Sequence, residues 1–296
     1  MRREVRWERM FPDELNAALE QYPLVYMPYG LCEPHGPQSA LGMDLLRPMG
    51  AAVAAAREHG GIVAPPHYWH MHELGVFAAW AAVRVGEATP WVTAVPPRVF
   101  FKNMVYHIRT MDMLGFHAAI VFSGHAGPHV ADFPVMQEIL QPHFATRLSL
   151  IFDYDVIPKE YLPEFNHGGN VETAYLWATD PDCVDLSRCP EKGTPGPHFA
   201  MYESAYDTDR RMGERIVAGI AANLAAKGEE LLAEYDRVQP TRKPLTFDEV
   251  EQLWEDEIRP RFGDFKSMLD LSPEGSQQPP AEDSIWRANW KVPRRS

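Results

Sequence analysis

Four short apolar runs, each cut off by glycine, proline or a small polar residue, limit what this chain can fold into. They cover 24–27, before Pro28 and Gly30; 62–64, before Pro65 and Pro66; 118–122, before Ser123 and Gly124; and 148–152. Continuous apolar runs of this length mark strands buried on both faces. Between and after them lie segments with helical spacing over 44–59, 99–114, 130–140, 171–178 and 212–226. Asp44 and Asn170 are placed to cap two of these helices, and Gly115 and Gly228 to end two others. Strands alternating with helices predict an α/β fold: a three-layer α/β/α sandwich with a mostly parallel central sheet.

The chain has 296 residues and a net charge of −13. That balance argues against nucleic acid or an anionic membrane as partner, since both attract basic surfaces. No run of 18 apolar residues could span a bilayer, and the charged stretch 1–9 lacks the apolar core of a signal peptide. Three cysteines, Cys32, Cys183 and Cys189, suit a reducing compartment, so a cytoplasmic protein is expected. Composition shifts near residue 238. We expect a main domain over 1–238 and a C-terminal extension over 239–296. The extension would comprise a linker over 239–244, a short helix over 246–257 started by the capping box Thr246 to Glu249, and an extended or disordered arm over 272–296.

Three segments carry chemistry, each just after an expected strand or at an expected helix start, where α/β folds collect ligand sites. The first is Glu33-Pro34-His35-Gly36 with Asp44. Carboxylates and imidazoles from a loop and the next helix start can meet around a Zn, Mn or Fe ion. The same residues also read as a surface loop before an N-capping aspartate. The second is Ser123-Gly124-His125-Ala126-Gly127, a histidine between glycines at a strand end, either a ligand or an incidental turn residue. The third is His167-Gly168-Gly169-Asn170-Val171-Glu172-Thr173. His167 suits a proton shuttle near neutral pH. Glu172 has a simpler role available, favouring the dipole of the helix it begins.

Taken in order, these segments resemble the creatininase (creatinine amidohydrolase) family. Pro28-Tyr29-Gly30-Leu31-Cys32-Glu33-Pro34-His35-Gly36 with Asp44 is similar to its Pro-x-Gly-x-x-Glu-x-His-Gly signature and following Asp. The second segment resembles its Asn-Gly-His-Gly-Gly-Asn stretch, the third its His-Ala-Gly-x-x-Glu-Thr stretch, and 180–187 its Pro-x-x-Val-Asp-Leu. The likeness covers roughly 5–230. It implies a creatininase-like sandwich holding one or two divalent metal ions, with Glu33, Asp44 and His125 on the first ion. His35 and a bridging Asp44 would take the second, with Glu172 as a further metal ligand or catalytic group and His167 as the shuttle. It also implies hydrolysis of a C–N bond in a small-molecule amide, and a homo-oligomer, a hexamer by analogy.

Departures bear on substrate. Ser123 and Pro128 replace two family asparagines, and Ala126 and Gly127 stand where creatininase has a Tyr and a metal-binding Glu. Creatinine is therefore not the expected substrate. The segment 74–80 replaces a common Phe-Pro-Gly-Thr, just after His67, His70 and His72. Those histidines read as lining a pocket or subunit interface, with substrate contact or ligation by His70 or His72 as the alternative. His107, His117, His129 and His143 read as packing or surface residues. Tyr68, Trp69, Trp80 and Trp91 wall a pocket for a ring substrate or belong to the core or an interface. The 193–197 run reads as a turn. Two other functions remain open at this point: a binding or structural protein without turnover, and a metal-dependent sugar-acid isomerase or lyase.

Overall fold

The computed structural model describes residues 4–72, 91–127, 129–162 and 166–268. Four strands, β1 (Leu24–Tyr29), β2 (Ile62–Val63), β3 (Ala118–Ser123) and β4 (Arg147–Phe152), make one sheet. It is parallel throughout, in the order β2-β1-β3-β4, with Leu24 to Tyr29 paired in register with Ala118 to Ser123. The helices are α1 (Pro12–Gln21), α2 (Met43–His59), α3 (Pro97–Leu114), α4 (His129–Leu140), α5 (Asn170–Thr179), α6 (Arg210–Val238) and α7 (Phe247–Leu253).

The period of two along each strand separates the two cores. Val25, Met27, Ala119, Val121 and Leu150 meet Phe100, Met104 and Ile108 of α3 and Phe133 and Met136 of α4. Leu24, Tyr26, Ile120 and Phe122 face the other way, onto Ala51 and Ala55 of α2, Tyr175 of α5 and Ile220 and Leu224 of α6. This is the expected α/β/α sandwich. Both sheet faces are dry, so the strands read as unbroken apolar runs.

Several boundaries differ from expectation, for local reasons. Helix α6 runs through Gly228 to Val238 and ends at Gln239 in the left-handed conformation. Gly228 serves close approach: a Cβ there would lie 2.4 Å from Leu24 Cδ2. Gly213 plays the same part where α6 crosses α5, because its Cβ would fall 1.8 Å from the Ala174 carbonyl oxygen. Asp44 does not cap α2. Gly42 precedes that helix, and Asp44 lies in its first turn, buried. Asn170 does not cap α5 either; Asn166 Oδ1 accepts from the amides of Val171 at 2.8 Å and Glu172 at 3.3 Å.

Beyond α6, the capping box forms as read, with Thr246 and Glu249 bonding reciprocally. A π turn (Trp254–Ile258) and a 3-10 turn (Arg259–Asp264) follow α7. Val250, Leu253, Trp254, Ile258 and Phe265 join the core on the α3 and α4 side. Asp132 of α4 clasps this segment, accepting from the amides of Lys266 at 2.5 Å and Ser267 at 3.0 Å. The arm expected over 272–296 lies outside the described residues, as do Trp80, the 74–80 segment and Pro128. Among the described residues, no helix is long and apolar enough to cross a membrane.

Candidate metal centre

The site sits at the carboxyl ends of the strands. Two glycines place it. Cβ atoms on Gly30, after β1, and on Gly124, after β3, would lie 2.4 and 2.2 Å from the Asp44 carbonyl oxygen. Lacking them, both strand ends close on the first turn of α2 and fix Asp44 between the β1 loop and the β3 loop. The loop after β2 is drawn alongside, with the Gly30 amide bonded to the His67 carbonyl at 3.1 Å.

Glu33, His35, Asp44, His125 and Glu172 all come together, each nearly withdrawn from solvent. Asp44 spans the centre, with Oδ1 3.0 Å from His35 Nε2 and Oδ2 2.9 Å from His125 Nδ1. Glu33 Oε1 lies 3.5 Å from both His35 Nε2 and His125 Nδ1. His167 Nε2 approaches the same oxygen at 3.1 Å, and its ring stacks on His35 with centroids 4.1 Å apart. The side chain of His167 is 14% exposed, the most open of these groups.

His72, which the sequence left between pocket lining and ligation, is drawn in as well. Its Nε2 lies 2.6 Å from Glu33 Oε2. Three donor groups have all their ligand atoms within 4.8 Å of one another: Glu33, His72 and His125; His35, Asp44 and Glu172; and Glu33, His35 and His167. Nothing in the His-x-His spacing of His70 and His72 betrays this, because convergence depends on the β2 loop crossing the β1 loop.

Behind the donors sits Arg47, one helical turn after Asp44 and 0% exposed. Its Nη2 donates to the Gly124 carbonyl at 2.8 Å and to Glu172 Oε1 at 3.0 Å, and lies 3.4 Å from Asp44 Oδ1. Its Nη1 is 3.1 Å from Asp153 Oδ2. Glu172 Oε2 accepts from the Gly168 amide at 2.6 Å. Gln38 braces the front: its amide donates to the carbonyls of His35 at 3.1 Å and Gly168 at 3.0 Å. A second layer of imidazoles lies behind His125, with Ser123 Oγ 3.3 Å from His70 Nε2 and 3.4 Å from His129 Nε2. His129, read as an ordinary packing or surface residue, is fully buried there.

The electrostatics show which charge the site favours. Asp44, Glu172 and Asp153 are buried around the Arg47 guanidinium, and Glu33 among four imidazoles. Burial disfavours charge on His35, but Asp44, Glu172 and Glu33 outweigh it and hold its pKa up at about 10. His125 is held up at about 9 against burial by Glu33 and Asp44. Burial, with Glu172 and Asp44 adding to it and Arg47 opposing, lifts Asp153 to about 8. His70 and His129 go the other way, well below the usual imidazole range, through burial and the neighbouring histidines. Protons thus gather where the carboxylates face one another. A divalent cation would supply the same positive charge there, with oxygen and nitrogen donors already aimed at it.

The rim has unusual backbone. His198, Phe199 and Ala200 all have positive φ, 43°, 54° and 65°, a conformation that costs energy for residues with a Cβ and collects at functional sites. The turn accepts from the Gly36 amide through Phe199 O at 2.7 Å, and Ala200 O lies 3.3 Å from His167 Nδ1. Phe199 also faces Trp91, with centroids 6.0 Å apart, and both are partly open to solvent. Phe199 carried no signal in the sequence. Three other histidines serve elsewhere: His107 on the Tyr29 hydroxyl at 2.7 Å, His117 stacked on Tyr235, and His143 with Glu257.

The creatininase family profile, described as creatinine amidohydrolase, matches residues 8–235. The chain belongs to the creatininase family. Solved structures agree on the fold. A Bacteroides fragilis protein described as a candidate creatinine amidohydrolase superposes with a TM-score of 0.60 at 22% identity, covering 78% of this chain and 98% of that one. A manganese form of creatininase gives 0.60 at 20% identity, covering 77% and 98%. A zinc–zinc form of a creatininase Glu-to-Gln mutant gives 0.57 at 20% identity, with the same coverage. A search of curated protein sequences found no significant match. This creatininase-family chain continues past the matched region into the segment that packs on α3 and α4.

Proposed function

We propose that the protein is a metal-dependent amidohydrolase that opens a C–N amide, lactam or formamide bond in a small molecule. The observation carrying this reading is the convergence of Glu33, His35, Asp44, His72 and His125 in a buried pocket, with His167 at its open side. A protein that merely kept the fold would not need six buried or largely buried ionisable groups facing one another, since each costs desolvation.

Glu33, Asp44, His35 and His125 would hold one or two divalent ions; such oxygen and nitrogen donors suit Zn, Mn or Fe. A bound divalent cation supplies Lewis acidity, lowering the pKa of water towards neutrality and polarising the amide carbonyl. Asp44 offers one oxygen to each half of the centre. His167, less buried and within reach of Glu33, takes the proton from the attacking water and returns it to the departing nitrogen. Arg47 holds Glu172 and Asp44 in place from behind. Trp91 and Phe199 form one wall at the mouth and suit a flat substrate group. The family's hexamer is proposed here only by analogy.

The reading is tested by elemental analysis of protein purified without chelator, beside a screen of small amides, lactams and formamides. Amine release that a chelator removes and added metal restores would support it. A protein that takes up no cation and turns over none of these compounds would refute it.

Metal binding should also expel protons. His35 and His125 hold theirs at neutral pH and must lose them to coordinate, so binding Zn²⁺ at pH 7 is expected to release about two protons. Affinity should therefore climb from pH 6 towards pH 9. Calorimetry in buffers of different ionisation heat measures this, and heats independent of buffer would contradict it.

A further inference from the structure

The two halves of the centre have unequal donors. We propose that His72 joins Glu33, His125 and Asp44 to hold one divalent cation tightly, while the neighbouring position, on His35 and Asp44, holds a second one weakly. The inference rests on the metal-centre reading above and adds a ligand and an order of filling to it.

On the first side, ligand atoms of Glu33, His72 and His125 lie within 4.8 Å of one another. His72 Nε2 stands 2.6 Å from Glu33 Oε2, its side chain is 5% exposed, and its ring lies 5.4 Å from that of His125, tilted by 26°. Asp44 Oδ2 lies 2.9 Å from His125 Nδ1. With Asp44 beside His125, two imidazoles and two carboxylates would be on hand for a divalent ion. The backbone carrying His72 is also fixed, because the Val95 amide bonds the His70 carbonyl at 2.9 Å and the His70 amide bonds the Thr93 carbonyl at 3.3 Å.

On the second side the donors are compromised. Glu172 Oε2 is 3.8 Å from His35 Nε2, but that oxygen already accepts from the Gly168 amide, and Oε1 from Arg47. Freeing Glu172 would leave a fully buried guanidinium short of a partner. Arg47 Nη2 also sits 3.4 Å from Asp44 Oδ1, the oxygen that faces His35, so its fixed positive charge weighs most on this position. Residue 127, in the loop after His125, is glycine and adds no donor.

Zn²⁺ titration of metal-free protein against a chromophoric chelator tests the proposal. The wild-type protein is expected to take one equivalent tightly and a second about 100-fold more weakly, or worse. His72→Gln should weaken the tight equivalent by more than the 10–100-fold that loss of an outer partner costs, and should leave the weak one nearly unchanged. Should the variant fold poorly, ¹⁵N-histidine NMR of the wild type serves instead: the first equivalent of Zn²⁺ should shift a His72 ring nitrogen. Two equal equivalents in the wild type, a tight site indifferent to His72→Gln, or a His72 signal unmoved by the first equivalent would each overturn the asymmetry and leave the metal-centre reading intact. Absence of any Zn²⁺ uptake by the wild type would overturn the reading beneath it.

Discussion

His167→Ala is expected to take up metal as the wild-type protein does and to lose kcat by about 10²–10⁴-fold, the usual contribution of a placed proton carrier. The geometry separates it from the ligands. His125 and His35 are each near 3 Å from an oxygen of Asp44, whereas His167 is 3.1 Å from Glu33 and stacks on His35, more exposed than either. The limb of the pH–rate profile owed to the shuttle should vanish with the imidazole, and KM should change little. Elemental analysis with steady-state kinetics on a substrate found in the screen checks both halves. Because Glu33, His35 and His167 also form a possible donor trio, loss of metal from this variant would move His167 into the ligand set.

The second large effect is on stability. Arg47→Met should destabilise the metal-free protein by about 3–5 kcal/mol, the cost of breaking a buried ion pair from one side. Natural domains hold only about 5–15 kcal/mol in reserve, so the variant should unfold at markedly lower urea. Glu172 and Asp44 lose a buried counter-charge, and Asp153 loses the guanidinium 3.1 Å away. Asp153 already binds its proton well above the range of an unfolded aspartate, through burial above all, and without Arg47 it should do so more strongly. The sign follows. Below about pH 8 both native states hold this proton, so the part of the deficit owed to Asp153 should stay level from about pH 4 to 8 and grow as pH rises above about 8. An exposed pair such as Arg188–Asp185, with side chains 69% and 50% exposed, offers the contrast. Arg188→Ala should leave the urea midpoint essentially unchanged. Equal losses from the two variants would show that the buried network carries no special weight.

Much of the fold was readable because burial on both faces leaves a plain mark. The runs at 24–27, 118–122 and 148–152 became β1, β3 and β4 with one or two residues added. Glycine was read less well, because one residue type serves two ends. Gly115 does end α3, with φ 89°. Gly228 serves helix-to-strand contact in mid-helix, and only the position of Leu24 in space distinguishes the two uses. Capping followed the same pattern. Asp44 and Asn170 have the right chemistry at helix starts, but Asp44 is turned into the centre and Asn166 does the capping of α5. At the site, motif spacing brought out Glu33, His35, Asp44, His125, His167 and Glu172. His72, Arg47, Gln38 and Phe199 lie outside the motifs or have unremarkable chemistry. Their parts depend on segments meeting across 39 residues, for His72 and Glu33, to 163, for Phe199 and Gly36, which no local pattern encodes.

Gln38 has a consequence of its own. A neutral carboxamide, itself 1% exposed, ties the peptide carbonyls of His35 and Gly168, from segments 130 residues apart, and no titration can undo it. The stacked pair His35 and His167 is therefore held in place by an uncharged strut, indifferent to acidity or to the coming and going of ions. On the opposite wall, His70 is fastened to Thr93 and Val95 by main-chain pairing, and the Thr93 hydroxyl accepts from the Cys32 amide. Such a division lets one wall change its residues, and with them the molecules it admits, while the reacting groups stay in alignment.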